Sequence, residues 1–484
     1  MISDLGLLTR EGMEFFYPVF KDMQNWMNPD CKDQFPRVPF PDKPKGAHAV
    51  EEYRKRLVEK GYTRVHQEKG LGGLIKVKAI GVWDTVGSLG IPQGKPREML
   101  ARLGINLRNQ EYRFYNTRLS TKIEHGFHAL ALDETRGPFS PTLWERQPEY
   151  RDILDLRQVW FPGSHGNVGG GWADQGVANI TLAWMLDQLA SVGCEFVDDA
   201  LERLYDRNVQ YYHSLKPENN KREECAKCCI GCCGAVRRKG LLPWAALPIF
   251  DPNKPVRPWS LHSIQSVSSP IYDLAGKATR SPGLYKKINP ENGRPSRAFL
   301  KDTNERIHSS VRVRLACEGL GLNDSDIWKC PALLQMWRPR RVAQKVFDPV
   351  PQNASWGPKD GESIGKPANV TRAARGPSDI APTPSTVIYA AAESGTSSIM
   401  REDNTSNKLR WVWEYVGPDV GAPFVRMLME ENMGPWERHL LQLSTGKVHV
   451  CEYAEAQSVS TFKALSSEAF AKKPKSKKLK KPSP

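Results

Sequence analysis

The chain has 484 residues, of which 39% are hydrophobic and 25% charged, with a formal net charge of +15 and a mean hydropathy of −0.53. That composition excludes collagen, a coiled coil and a wholly disordered chain, and no apolar run approaches the roughly 18 residues of a transmembrane helix. At roughly 150 residues per domain the length suits about three domains, or one large α/β domain with decorations. Met1-Ile2-Ser3-Asp4-Leu5-Gly6 has no basic leading region and carries an acid, so it does not read as a secretory signal. Ten cysteines in such a chain are not a disulfide framework. Seven lysines lie within Lys472–Lys481, and without them the net charge falls to +8, so the polyanion signal belongs mostly to the tail.

Residues 1 to about 30 are expected to be mostly helical, with Leu5, Leu8, Met13, Phe16 and Phe20 at roughly helical spacing. Residues 28–48 are rich in proline and read as a loop, followed by a short helix over 50–60. Leu74–Trp83 is the clearest strand, passing from alternation into an apolar run as it enters a buried sheet. The spacing predicts a helix over Thr121–Asp133, a second buried strand at Gln158–Phe161 and an amphipathic helix at Ile180–Val192. Strands alternating with helices imply an α/β domain with a mostly parallel sheet. Residues 216–255 interrupt it with cysteines, prolines and basic residues, and a helical pattern resumes near Asn304–Leu320. Residues 338–385 are rich in glycine and proline and read as a linker. Beyond it, Leu409–Val416 and Gly446–Tyr453 suit paired strands with a helix at Phe424–Leu443 between them.

Reactive groups gather after two strands. Asp84 directly follows the first strand, where parallel sheets collect functional groups. A turn-capping role with Thr85 is the plain alternative. His165 follows the second strand in a loop with Gly163, Gly166, Gly169, Gly170 and Gly171. Such glycines allow sharp bends and close approach, so His165 is either a working group or incidental to a tight turn. Asp174 and Gln175 are expected to cap the following helix. An acid after one strand and a later histidine after another match the end of the order Ser, Asp, His in α/β-hydrolases. There the histidine shuttles the serine proton and the aspartate orients the imidazole.

Other clusters are weaker. Cys225, Cys228, Cys229, Cys232 and Cys233 form two C-x-x-C pairs, but zinc ribbons space such pairs by about 15–20 residues, and a non-functional insertion is the reading taken. His125 and His128 on the expected helix suit structural histidines better than metal ligands. For His308, packing and a substrate-side contact are both open. Gly361-Glu362-Ser363-Ile364-Gly365 matches G-x-S-x-G literally, yet it lies in the linker and after the histidine, without the strand-then-helix context of a nucleophile elbow. Ser3, Ser88 and Ser164 lack that context too.

WDTVGSLG (83–90), HALALDETRGPFSP (128–141), QVWFPGSHGNVGGGW (158–172) and ERIHSSVRVR (305–314) together resemble one family. It is the uncharacterised α/β-hydrolase domain of fungi and bacteria, related to the catalytic domain of type VI secretion phospholipase effectors. The resemblance covers about residues 1–215 and 296–337. It implies an α/β-hydrolase-like fold, a serine hydrolase acting on ester bonds, Asp84 as the triad acid and His165 as the triad base. The family also carries an Asp-Gly-Thr strand and a nucleophile elbow before the acid, and this chain shows neither. The segment at Met1 resembles the helix after the elbow, so the resemblance implies truncation before the nucleophile and impaired catalysis.

The expected organisation is a hydrolase-like domain over 1–337, incomplete at its N-terminus and containing the 216–255 insertion. A linker at 338–385, a C-terminal extension at 386–466 and a basic tail at 467–484 follow. The expected function is lipase- or esterase-like hydrolysis of esters or phospholipids in the complete form. The alternative is a non-catalytic binding or scaffold protein on a degenerate hydrolase fold. No metal or organic cofactor is expected. The Lys472–Lys481 tail is open to a membrane surface or a polyanion. The expected location is intracellular and cytoplasmic, with the nucleus open through the same tail.

Overall fold

The computed structural model describes residues 1–26, 32–46, 48–66, 75–86, 119–151, 153–215, 242–267, 276–288, 295–343 and 409–458, single positions within these stretches apart. The Cys225–Cys233 cluster, Ser88, the G-x-S-x-G match at 361–365 and the Lys472–Lys481 tail lie outside the described residues.

The N-terminal segment contains the helices α1 (Ile2–Leu5), α2 (Arg10–Met13), α3 (Phe16–Asn25) and α4 (Ala49–Glu59). A two-residue strand, β1 (Leu7–Leu8), breaks the expected helical run and pairs antiparallel with β2 (Thr63–Arg64). Leu5, Val19, Phe40, Tyr53 and Leu57 close a small core of their own. Tyr53 donates to Asp22 at 2.6 Å and Lys43 reaches the same carboxylate at 2.8 Å.

The main sheet begins with β3 (Val77–Trp83), β4 (Ile123–Ala131) and β5 (Asp155–Phe161). After β5 come α5 (His165–Gly169), α6 (Gly176–Ala190) and α7 (Ala200–Ser214). A separate two-stranded ribbon is made by β6 (Lys286–Ile288) and β7 (Pro295–Phe299). The sheet resumes with β8 (Glu305–His308), which runs straight into α8 (Ser309–Ala316). Then follow α9 (Pro331–Leu334), β9 (Trp337–Ala343), β10 (Leu409–Tyr415), β11 (Met427–Glu431) and α10 (Pro435–Leu443), and residues 450–458 are helical. Seven strands lie in the order β3-β4-β5-β8-β11-β10-β9. The pairs from β3 through β11 are parallel, and β10 runs against both of its neighbours. This mixed, mostly parallel sheet flanked by helices is an α/β-hydrolase-like architecture.

Several expectations change here. Thr121–Asp133 is not a helix: Ile123–Ala131 is strand β4, paired on both edges. Its run GFHALA (126–131) is buried on both faces, and a short run of that kind has no period that separates strand from helix. His125 and His128 therefore lie an odd number of residues apart on a strand and face opposite sides. His128 is wholly buried, whereas His125 sits 3.4 Å from Asp155 and is partly exposed. The helix expected from Asn304 divides into β8 and α8. Gly446–Tyr453 is not a strand, since helix begins at residue 450. Within the helix expected at Phe424–Leu443, the chain instead forms β11 and then α10. The first residues of the expected linker, through Ala343, form the edge strand β9. Trp244 and Ile249, from the Cys- and Pro-rich interruption, are buried in the main core.

Alternation along β4 and β5 serves two cores. Phe127, Ala129, Ala131, Val159 and Phe161 face α6, which contributes Ile180, Ala183, Trp184 and Met185. Leu130, Trp160 and Ile307 face the other way, against Val311, Leu333, Trp337 and Trp413. Phe161 is a keystone of the first core, stacked at 4.4 Å on the His308 ring and edge-on at 5.6 Å to Trp184. Emptying a fully buried aromatic site costs about 3–5 kcal/mol. Phe161→Ala is expected to lower the unfolding free energy by about that amount, measured by urea denaturation. A loss under about 1 kcal/mol would show that the site collapses around the smaller side chain.

Candidate active site

Asp84 directly follows β3 with φ at +40°, in the left-handed region that a non-glycine residue seldom adopts. The conformation turns its carboxyl back across the end of β4, where Oδ1 accepts from the Ala131 amide at 3.0 Å. The Asp84 amide donates to Ala129 O at 2.7 Å, and the next amide, that of Thr85, donates to Nε2 of His128 at 3.0 Å. His128 in turn lies 3.3 Å from Gln158 Oε1 through Nδ1, and Gln158 is bonded to Trp144 and Thr303. A turn capped locally with Thr85 is thus not what Asp84 makes: its carboxylate spans to other elements.

His165 opens the short helix α5, just beyond β5. Its Nδ1 lies 2.8 Å from Asp84 Oδ2, joining two residues 81 positions apart at the carboxyl ends of two parallel strands. Three supports fix that ring. Glu134 Oε2 accepts from the His165 amide at 3.2 Å, while both Glu134 oxygens grip Arg136 at 2.9 Å. Asn167 Oδ1 accepts from the Ser164 and Gln265 amides at 3.2 and 3.0 Å. Phe139 packs edge-on to the imidazole at 5.2 Å, with Arg136 stacked over its ring at 3.6 Å. Gly163 enters this turn with φ at +117°, and a Cβ there would come within 2.7 Å of Asn167 Cβ. Its amide donates to buried Asp133 Oδ2 at 2.7 Å. Glycine is therefore required at 163 by geometry.

The third partner of Asp84 is Arg280, whose Nη2 lies 2.9 Å from Oδ2 and 2.7 Å from Phe139 O. Burial would push the Asp84 carboxyl up, but the His165 hydrogen bond, the Arg280 charge and the Ala131 amide hold it below the usual range. The carboxylate is fully buried while the His165 side chain is 34% exposed, so the ring is the part of the pair that solvent or a substrate can reach. Ser164 is spoken for: its Oγ lies 2.5 Å from Gln265 O and 2.9 Å from Asn167 Oδ1.

Asp174 behaves as expected at the start of α6, with Oδ1 accepting from the Gly176 amide at 3.0 Å, whereas Gln175 supplies no side-chain cap. His308, left open by the sequence between packing and a substrate-side contact, caps α8. Its Nδ1 accepts from the Ser310 amide at 3.2 Å and lies 2.7 Å from Ser310 Oγ, and its Nε2 is 2.5 Å from Glu437. This Ser–His–Glu chain has the composition of a catalytic triad, but all three residues are sealed from solvent. It joins α8 to α10. Among the described residues, no group of three or more His, Cys, Asp or Glu side chains could hold a metal ion, and no helix is long and apolar enough to cross a membrane.

Sequence reasoning found Asp84 and His165 from their place after two strands. It read His128 as a structural histidine, in keeping with its full burial, and missed Glu134, Asn167 and Arg280. The His128–Pro141 and Gln158–Trp172 motifs contain the first two, so they were within sight. Arg280 stands 196 residues from Asp84 with no motif around it.

An α/β-hydrolase-like sheet, with an acid after β3 and a histidine after β5 joined across the end of the intervening β4, defines the class of protein. Residues 1–188 match the family described as T6SS, phospholipase effector Tle1-like, catalytic domain. The chain is also similar to "Uncharacterized protein YEL023C" of Saccharomyces cerevisiae, 40% identical over 52 residues, a stretch that covers 10% of this chain and 8% of the yeast protein. No solved structure matches the chain.

Burial pushes the His128 imidazole down to about 4, which keeps it neutral and its Nε2 free to accept from Thr85. A histidine with a depressed pKa binds fewer protons in the folded than in the unfolded state. Stability from this group is therefore present above about pH 6.5 and is lost as pH falls toward 4. The loss is on the order of 3 kcal/mol across that window. His128→Gln, which keeps a carbonyl acceptor, is expected to be less stable than wild type at pH 7 and to show a flatter decline between pH 6.5 and 4.5 in urea melts. Parallel declines in the two proteins would remove His128 as the source.

Proposed function

We propose that the chain is a lipase- or esterase-like hydrolase, in which His165 serves as general base and then general acid and Asp84 orients it. The observation that carries this reading is the 2.8 Å contact of His165 Nδ1 with the buried Asp84 carboxylate. The match of residues 1–188 to a phospholipase effector catalytic domain supports the ester of a phospholipid as the substrate class.

In this reading each atom has a task. Asp84 accepts from Nδ1–H and so leaves Nε2 as the basic nitrogen. No described serine is hydrogen-bonded to Nε2; water held there gives a proton to the ring as its oxygen attacks the ester carbonyl carbon, and the carboxylic acid is the second product. The imidazolium that results is stabilised by the charge of Asp84. Collapse of the tetrahedral intermediate breaks the bond to the leaving alcohol, which takes the proton back from Nε2. The lysines of the Lys472–Lys481 tail would add attraction to an anionic lipid surface, at about 1 kcal/mol for each one near the headgroups.

Turnover of a p-nitrophenyl ester and of phospholipid vesicles by the purified full chain tests the reading. Asp84→Asn is expected to lower kcat by about 10⁴-fold and His165→Ala by up to about 10⁶-fold, while far-ultraviolet circular dichroism stays unchanged. Undiminished turnover in either variant, or none in the wild-type protein, would overturn the assignment.

A further inference from the structure

The buried guanidinium beside Asp84 does more than fill space. Arg280 is 5% exposed, and its Nη2 bridges Asp84 Oδ2 at 2.9 Å and Phe139 O at 2.7 Å. Asp84 Oδ2 is the same oxygen that His165 Nδ1 contacts, and Phe139 is the ring packed against His165. Arg280 thus touches both neighbours of the imidazole without touching the imidazole. We propose that Arg280 is a positioning residue: by sharing Asp84 Oδ2 with His165 it keeps that carboxylate charged and in place while the ring stays free to take up a proton.

Two observations favour this over a purely structural ion pair. The segment that carries Arg280 is already docked by its own backbone: Gly137 N donates to Gly276 O and Ala278 N to Thr135 O, each at 2.9 Å. Anchoring the loop therefore does not require a buried charge, which is costly to desolvate. Second, the charge sits where it alters the imidazole most. A buried carboxylate with no other countercharge would hold the imidazolium proton tightly, because the ring would be its main neutraliser. With Arg280 in place the carboxylate is already neutralised. The other titratable and charged groups around the pair are Glu134 and Arg136 on the His165 side, His128 behind the Thr85 amide, and Tyr285 near the guanidinium. Glu134 and Arg136 neutralise each other, and His128 is neutral. Arg280 is thus the cation set directly against Asp84.

The proposal draws its catalytic meaning from the function proposed above, but its test needs no turnover. Diethyl pyrocarbonate acylates a histidine only while its imidazole is neutral, and mass spectrometry of the peptide containing His165 follows that ring alone. With Arg280→Gln the pH profile of His165 modification is expected to move to higher pH, and the rate at pH 6.5 to fall about tenfold. Arg280→Lys, which keeps a cation, is expected to stay within about twofold of wild type. Arg280→Met, which keeps the length of the buried stem, is the second neutral variant should Arg280→Gln fail to fold. Superimposable profiles for wild type and a folded neutral variant would overturn the proposal, as would a tenfold fall in a folded Arg280→Lys protein. A shifted profile in a protein without ester turnover would uphold the effect of Arg280 on the ring and refute the hydrolase reading separately.

Discussion

A single buried charge organises the carboxyl-terminal edge of this sheet. Asp84 has no contact with water, and an isolated carboxylate in that position would cost several kcal/mol to desolvate. Its oxygens are instead distributed among an amide at the end of β4, an imidazole after β5 and a guanidinium from a distant loop. Each of those groups must be placed to within a few tenths of an ångström for the charge to be tolerated. The left-handed backbone at Asp84, the neutral His128 that takes the Thr85 amide, and the Glu134–Arg136 pair that steadies α5 all follow from that one requirement.

The molecule contains two histidine–carboxylate pairs, and exposure separates their roles. His308 with Glu437 has the shorter contact and even a serine hydroxyl on its other nitrogen, yet nothing can reach it. Glu437 belongs to a tightly packed acidic corner, where Asp187 accepts from the Trp436 and Glu437 amides. Burial and then the nearby Glu437 charge push Asp187 up to about 7. That corner fastens α10 against α6 and α8. His165 with Asp84 couples a buried acid to a ring open to solvent on one side, which is the arrangement a proton shuttle requires. Composition alone does not distinguish the two sites, whereas their solvent exposure does.

The same contrast explains what the sequence disclosed. Asp84 and His165 were legible because each follows an apolar run that announces a buried strand, and carboxyl ends of parallel strands meet along one edge of a sheet. β4 was misread because burial on both faces erases the alternation that identifies a strand. β11 was hidden for a different reason: five residues, Met427–Glu431, sit between a proline- and glycine-rich turn and a helix start, and their two glutamates look like surface residues. In the fold those glutamates meet arginines from Arg306 and Arg312, at 2.7 and 2.8 Å. Arg280 could not be found at all, since a residue that neutralises a distant charge leaves no local pattern.

Strand order decides how much of the chain the site depends on. Residues 1–188 contain Asp84, His165, His128, Glu134 and Asn167, but they stop within the last turn of α6, before Arg280 and before β8. β8 pairs directly with β5, the strand that delivers His165, and β11 pairs with the other edge of β8. Without β11, β8 would present an unpaired edge and Arg306 would lose its carboxylate; without β8, the same would befall β5. Strands from three widely separated stretches of sequence are thus stacked in series behind one imidazole. The imidazole and its carboxylate sit within the first 188 residues, but the sheet that holds them in register runs on to residue 431.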